Sequence, residues 1–107
     1  RASDAILEAR RVYGNDLPIE VEVDSFKQAF EAMVAEPDIL MLDNFSPKEA
    51  GKAVKALREK GFSGKIELSG GVSLKNLKRY AKTKADIISM GSLTQSVHSK
   101  NFSLEIL

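Results

Sequence analysis

Two acidic positions and two glycine turns are where this sequence could do chemistry. Glu22 lies in residues 19–23, Ile-Glu-Val-Glu-Val. The strict alternation puts Ile19, Val21 and Val23 on one face of a strand and Glu20 and Glu22 on the other. A strand with one wet face accounts for this pattern. A strand of a helix-covered parallel sheet would instead aim its glutamates at a barrel interior, and Glu22, nearer the C-terminal end, is then the better functional candidate. Asp43 closes the apolar run of residues 39–42, Ile-Leu-Met-Leu, and Asn44 follows. Barrel enzymes place chemistry at the carboxyl end of a buried strand, whereas Asp and Asn also turn a chain well. Position alone leaves both readings of Asp43 open.

The glycine turns read as anion sites. Residues 65–73, Lys-Ile-Glu-Leu-Ser-Gly-Gly-Val-Ser, run from a short strand with Ile66 and Leu68 buried, through Gly70-Gly71, to a helix start at Ser73. Glycine lets backbone approach a ligand closely, and the free N–H groups of a first helical turn point outward. Residues 87–90 form a second apolar strand, which ends in Gly91-Ser92. A single glycine pair after a strand is usually only a tight turn. Two strand–Gly–Ser endings in consecutive βα units favour a phosphate held between them, as after the last two strands of a (β/α)8 barrel.

The elements that must position these groups alternate in type. The spacing predicts helices over residues 3–13, 25–36, 46–60 and 73–82. Ser25 and Gln28, and Ser46 and Glu49, stand at capping-box spacing, with Pro47 in a first turn. Strands are predicted over 19–23, 39–42, 66–68 and 86–90. Residues 94–100 read as irregular or a short helix. Phe102, Leu104 and Ile106 alternate as a short strand or an extended tail. The expectation is an α/β fold: a partial (β/α) barrel with about four parallel strands alternating with helices, residues 1–107 forming one segment. Four strands leave two edges and one apolar sheet face uncovered, which predicts self-association or a partner segment.

Composition narrows the function. The 107 residues are 43% hydrophobic, enough for one modest core. Lys+Arg is 16 against Asp+Glu 15, for a net charge of +1, so charge makes no case for nucleic acid or an anionic membrane. The basic run Lys75, Lys78, Arg79, Lys82, Lys84 has no aromatic platform and reads as a solvated helix face. There is no cysteine, and His98 is the one histidine, which excludes disulfides and multi-histidine metal sites. No apolar run is long enough to span a bilayer, and residues 1–4 lack a signal-peptide core. A soluble, cytoplasmic protein is expected. The chain opens without Met at a helix signal, which reads as a fragment or a processed piece.

Taken in order, Ile-Glu-Val-Glu-Val-Asp-Ser (19–25), Met-Leu-Asp-Asn-Phe-Ser-Pro (41–47), Glu-Leu-Ser-Gly-Gly-Val-Ser (67–73), Asp-Ile-Ile-Ser-Met-Gly-Ser-Leu-Thr-Gln (86–95) and Phe-Ser-Leu-Glu-Ile (102–106) resemble the C-terminal part of quinolinate phosphoribosyltransferase. The resemblance covers nearly the whole chain from Ile19 onward. It implies an α/β-barrel enzyme that joins quinolinate to phosphoribosyl pyrophosphate with Mg2+, yielding nicotinate mononucleotide, pyrophosphate and carbon dioxide. By the same resemblance, Glu22 and Asp43 are the acids facing the ribose and its metal-bound diphosphate. Ser69, Gly70 and Gly71 form one phosphate loop, and Met90, Gly91 and Ser92 the other. The partners implied are the two substrates and either a homodimer or higher homo-oligomer, or the N-terminal part of the same enzyme.

The departures fall on the pyridine side. Family members bind quinolinate's two carboxylates with upstream arginines, lysines and a histidine, and that region is not in these 107 residues. Gln95 stands where many bacterial members have histidine, and Asn101 where aspartate is commoner. The expectation is therefore a phosphoribosyl half-site. The competing readings are a non-catalytic half-barrel that binds phosphosugars or nucleotides, and a nicotinate-using relative.

Overall fold

The computed structural model describes residues 2–90, 93–97 and 104–106. Helix α1 (Ala2–Tyr13) leads into β1 (Glu20–Val23), α2 (Phe26–Met33), β2 (Ile39–Asp43), α3 (Pro47–Glu59), β3 (Lys65–Ser69), α4 (Leu77–Ala81) and β4 (Ile87–Met90), followed by β5 (Leu93–Val97) and β6 (Leu104–Ile106). The strands lie side by side in chain order, β1-β2-β3-β4-β5-β6. The first four are parallel, as expected of consecutive βα units. This order without reversal is that of a barrel wall, and a partial barrel describes the architecture.

Local sequence explains the helices. Ser46 Oγ accepts the Glu49 N–H at 3.1 Å, and Glu49 Oε1 accepts the Ser46 N–H at 3.1 Å, completing the capping box with Pro47 at the helix start. Ser25 Oγ caps α2 through the Gln28 N–H at 3.2 Å. The apolar stripes Ala29 and Ala32 of α2, and Ala50, Ala53, Val54 and Leu57 of α3, are buried against Val23, Leu40, Leu42, Ile66, Leu68 and Ile88 of the sheet. Alanine on the helix side lets helix and sheet approach closely, and the fully buried Leu and Ile fill the layer between them.

The feet of the strands are pinned by a repeated device. Asp38 Oδ2 accepts the Ile19 N–H at 2.6 Å and an Arg10 N–H at 3.0 Å. Asp86 Oδ2 accepts the Ile66 N–H at 2.8 Å and an Arg58 N–H at 2.7 Å. Each aspartate precedes one strand and ties it to the start of its neighbour.

Four expectations need correction. The helix expected from Ser73 starts only at Leu77. Asn76 Oδ1 accepts the Ser73 N–H at 2.7 Å and its Nδ2 donates to the Gly71 carbonyl at 2.8 Å, and this local competition holds the chain in a turn. The helix expected to reach Glu36 ends at Met33, with Glu36 at φ 53°. The stretch expected to be irregular or helical from Thr94 contains β5, antiparallel to β4, with β6 pairing against it. Finally, the open sheet face is not simply apolar. It carries Glu20, Glu22, Asp43 and Glu67 beside Ile39, Met41 and Ile87. Ile39 and Met41 are accordingly only half-buried, while Leu40 and Leu42 on the helix side are sealed.

Candidate active site

The sheet register assembles the acids. Glu22 pairs with Met41, which pairs with Glu67, so Glu22 and Glu67 share the face opposite the helices. Asp43 stands one pleat above Met41 and opposite Ser69. The Glu22 and Asp43 carboxyls are within hydrogen-bonding reach. That hydrogen bond and the Asp43 charge push the Glu22 carboxyl above its ordinary value; slight burial and the charges of Asp24 and Glu67 add to the shift. Two carboxyls held together and open to solvent are poised to take a cation or sugar hydroxyls, either of which relieves the repulsion. They line a shallow cleft of about 310 Å³ with Val23, Asp24 and Gln28. Gln28 Oε1 accepts the Asp24 N–H at 2.9 Å and holds the rim of the cleft in place. A larger cleft, about 730 Å³, lies between Pro18, Phe62 and Lys65 at the feet of the strands, away from these acids.

The two readings of Asp43 and Asn44 separate. Asp43 is the last residue of β2 and faces Glu22. Asn44 does the turning, at φ 60°, and its N–H donates to the Ser69 carbonyl at 2.9 Å. That bond clamps the β2 exit to the β3 exit. Gly70 then passes directly beneath the acid, at φ 82°. A Cβ there would overlap the Asn44 side-chain oxygen and lie 2.8 Å from Asp43 Oδ1. Gly71 is also in the left-handed region, at φ 71°, but its space is open. Acid and glycine turn are therefore one continuous surface.

Ser69 is half-buried at the end of β3, and Met90, half-buried, ends β4 opposite Leu93. Gly91, Ser92 and Asn101 lie outside the described residues; Gln95 falls within β5. Because α4 begins at Leu77 and the Ser73 N–H is already bonded, the helix-start part of the anion reading is lost, leaving the backbone of the Gly70-Gly71 turn.

Glu67, which the sequence patterns did not single out, and Glu20, which they ranked below Glu22, lie on the same face. Glu67 is buried to 8% exposure, and its Oε2 accepts the Ser89 hydroxyl at 2.7 Å. Glu20 is pushed above its ordinary value by burial, then by the charge and hydrogen bond of Glu67 and the charge of Glu22. The signal was present in Ile66-Glu67-Leu68, where a carboxylate between two buried neighbours must face the other side of the sheet.

Comparison with known proteins places the chain in a family. The chain is 42% identical over 102 residues to the carboxylating nicotinate-nucleotide pyrophosphorylase of Rattus norvegicus, covering 95% of this chain and 34% of that protein. It is 43% identical to a probable enzyme of the same name from Methanocaldococcus jannaschii, covering 97% of this chain and 38% of the relative. It thus spans little more than a third of the length of these curated relatives. The solved nicotinate-nucleotide pyrophosphorylase of Francisella tularensis superposes with a TM-score of 0.73 at 30% identity, covering 98% of this chain and 34% of that one. The family profile described as quinolinate phosphoribosyl transferase, C-terminal domain, matches residues 1–105, and the chain belongs to this family.

Proposed function

We propose that this chain supplies the phosphoribosyl half of the active site of a carboxylating quinolinate phosphoribosyltransferase. The observation that carries the reading is the contact of the Asp43 carboxylate with the Gly70 turn, beside Glu22. A site for phosphoribosyl pyrophosphate needs acids at the ribose and backbone donors at the 5′-phosphate, and this end of the sheet offers both side by side. The pyridine nitrogen of quinolinate attacks ribose C1 as the bond from C1 to the pyrophosphate oxygen breaks. The adjacent carboxyl leaves as carbon dioxide, a proton takes its place, and nicotinate mononucleotide results.

Positive charge builds on the ribose ring in that displacement. Glu22 and Asp43 hold the ribose hydroxyls and favour the charge electrostatically. The turns Ser69-Gly70-Gly71 and Met90-Gly91-Ser92 hold the 5′-phosphate. Magnesium, when bound, neutralises the departing pyrophosphate. Among the described residues no group of three or more His, Cys, Asp or Glu could hold a metal. Magnesium commonly needs only one or two carboxylates beside phosphate oxygens, so Glu22 and Asp43 fit it when substrate is present. Catalysis is then positioning and electrostatics, without a covalent enzyme intermediate. We place the enzyme in the cytoplasm, completed either by the rest of a family-length chain or by a second copy.

The test is product formation by the complete enzyme, in which this segment stands with the rest of a family-length chain. Quinolinate, phosphoribosyl pyrophosphate and magnesium should yield nicotinate mononucleotide. Turnover of nicotinate in place of quinolinate would overturn the substrate assignment, and no product from either would overturn the enzyme reading. Glu22→Ala and Asp43→Ala should each lower turnover by orders of magnitude with little change in Tm.

A further inference from the structure

We infer that the sheet face opposite the helices is the docking surface for the rest of a family-length chain, and that this partner segment brings a lysine or arginine to the Glu20–Glu67 pair. The inference rests on the chain's family membership and not on the activity proposed above. An all-parallel sheet is almost always covered on both faces. Here β1 to β4 are parallel, and the helices cover the side of Leu40, Leu42, Ile66 and Ile88. The other side carries the half-buried Ile39, Met41 and Ile87 among its acids. The chain spans 34% of its Rattus norvegicus relative, so most of a family-length protein is available to cover that side.

Charge selects the occupant. Glu67 is already sunk in this face, and its Oε2 accepts the Ser89 hydroxyl at 2.7 Å. Glu20 lies within hydrogen-bonding reach of Glu67 and is pushed above its ordinary value, by burial first and then by Glu67. Neither acid lines the cleft of Glu22 and Asp43 or the larger one at the feet of the strands. The described ion pairs, Arg10 with Asp38, Arg11 with Glu8 and Arg58 with Asp86, all lie elsewhere. Lys65 shares the face, but it stands exposed at the foot of β3, opposite Ile39. Among the described residues no group of three or more His, Cys, Asp or Glu could hold a metal there. A covering layer takes both carboxyls out of water, which is costly unless a cation pairs with them. A second copy docked by the same face would set acid against acid. The occupant that fits is a basic segment of the same enzyme.

The experiment uses the complete enzyme and reads thermal unfolding together with its crystal structure. Glu67→Gln keeps the side-chain volume and an acceptor for the Ser89 hydroxyl, and removes only the charge. With a cation against the pair, Tm should fall by about 4 °C or more. Glu20→Gln combined with Glu67→Gln leaves that cation buried without a partner, and Tm should fall by about 6 °C or more. Two acids that merely share a proton would leave Glu67→Gln at or above the wild-type Tm, because the amide mimics the protonated acid and ends the repulsion; that result would overturn the inference. The wild-type crystal structure should place a lysine or arginine nitrogen from outside residues 1–107 of the same chain within about 4 Å of Glu20 or Glu67. A cation supplied by a second copy, or a layer of water over the face, would overturn it too, and the wild-type structure decides even where the double variant fails to fold. Neither readout uses turnover, so a complete enzyme that makes no nicotinate mononucleotide would sink the proposed function alone.

Discussion

Adding one methyl group at Gly70 and, separately, at Gly71 should divide stability from function. Both residues sit in the left-handed region, at φ 82° and φ 71°, so Ala at either position carries a strain of about 1–2 kcal/mol. For a domain of this size each kcal/mol lowers Tm by about 4–8 °C. The surroundings differ. At Gly71 the new Cβ meets nothing within 4 Å. At Gly70 it lies 2.8 Å from Asp43 Oδ1, where ordinary contact begins at 3.4 Å, so the carboxylate must retreat by about 0.6 Å (3.4 minus 2.8). The Asn44 side-chain oxygen must move as well. Both are ends of short side chains and can give way at small energetic cost. The added damage therefore falls on the acid rather than on the fold. A misplacement of about 1 Å can cost a hundredfold in rate, so Gly70→Ala should lose about 10- to 100-fold in kcat/KM for phosphoribosyl pyrophosphate. Gly71→Ala should lose at least about tenfold less by the same reasoning. Their melting temperatures should agree to within about 3 °C, since the strain is shared. Thermal unfolding of the chain and kinetics of the complete enzyme read the two quantities. Equal kinetic losses, or a Gly70→Ala loss that simply follows a much lower Tm, would refute the argument.

The Glu22 carboxyl is held above its ordinary value of 4.5, chiefly by Asp43, so the folded chain binds more protons than the unfolded chain between those two values. Stability must fall as pH rises through that window. Glu22→Gln should therefore melt higher than wild type at pH 7 and lose the advantage below pH 4.5; a constant difference across pH would refute the raised Glu22 carboxyl. Asp38 has the opposite sign. The Ile19 N–H first, and then Arg10, hold its carboxyl below 3.8, giving stability that is present above that pH and lost as pH falls through the folded value. Asp38→Asn should be less stable at neutral pH and converge with wild type in strong acid; parallel melting curves down to low pH would count against it. Tyr80→Phe removes the buried hydroxyl that donates to the Phe45 carbonyl at 2.8 Å and should lower stability by about 1–3 kcal/mol. An unchanged Tm would mean that water replaces the hydroxyl.

Much of this protein is written in short-range patterns. The alternation of residues 19–23 announces a strand with one acidic face, and the structure places Glu22 on it. Ser46, Pro47 and Glu49 announce the start of α3, since a capping box is satisfied within one turn of chain. Where local groups compete, the short-range pattern misleads. Asn76 and Ser73 both suit a helix start, and the bonds from Asn76 to Ser73 and Gly71 decide between them. The strand β5 needed a partner that no local pattern names. Its place beside β4 comes from pairing across the hairpin.

The sequence by itself determined the parallel βα order, the helix caps, the acidic strand face and the glycine turn after β3, because each depends on neighbours within a few residues. Only the tertiary structure decided that Asp43 rests against Gly70, that Glu22 shares a hydrogen bond with Asp43, and that Ser89 reaches Glu67. Those contacts join residues more than twenty positions apart. They exist because the register of adjacent strands brings side chains of separate βα units onto one pleat, and no periodicity along a single strand specifies the register of the next.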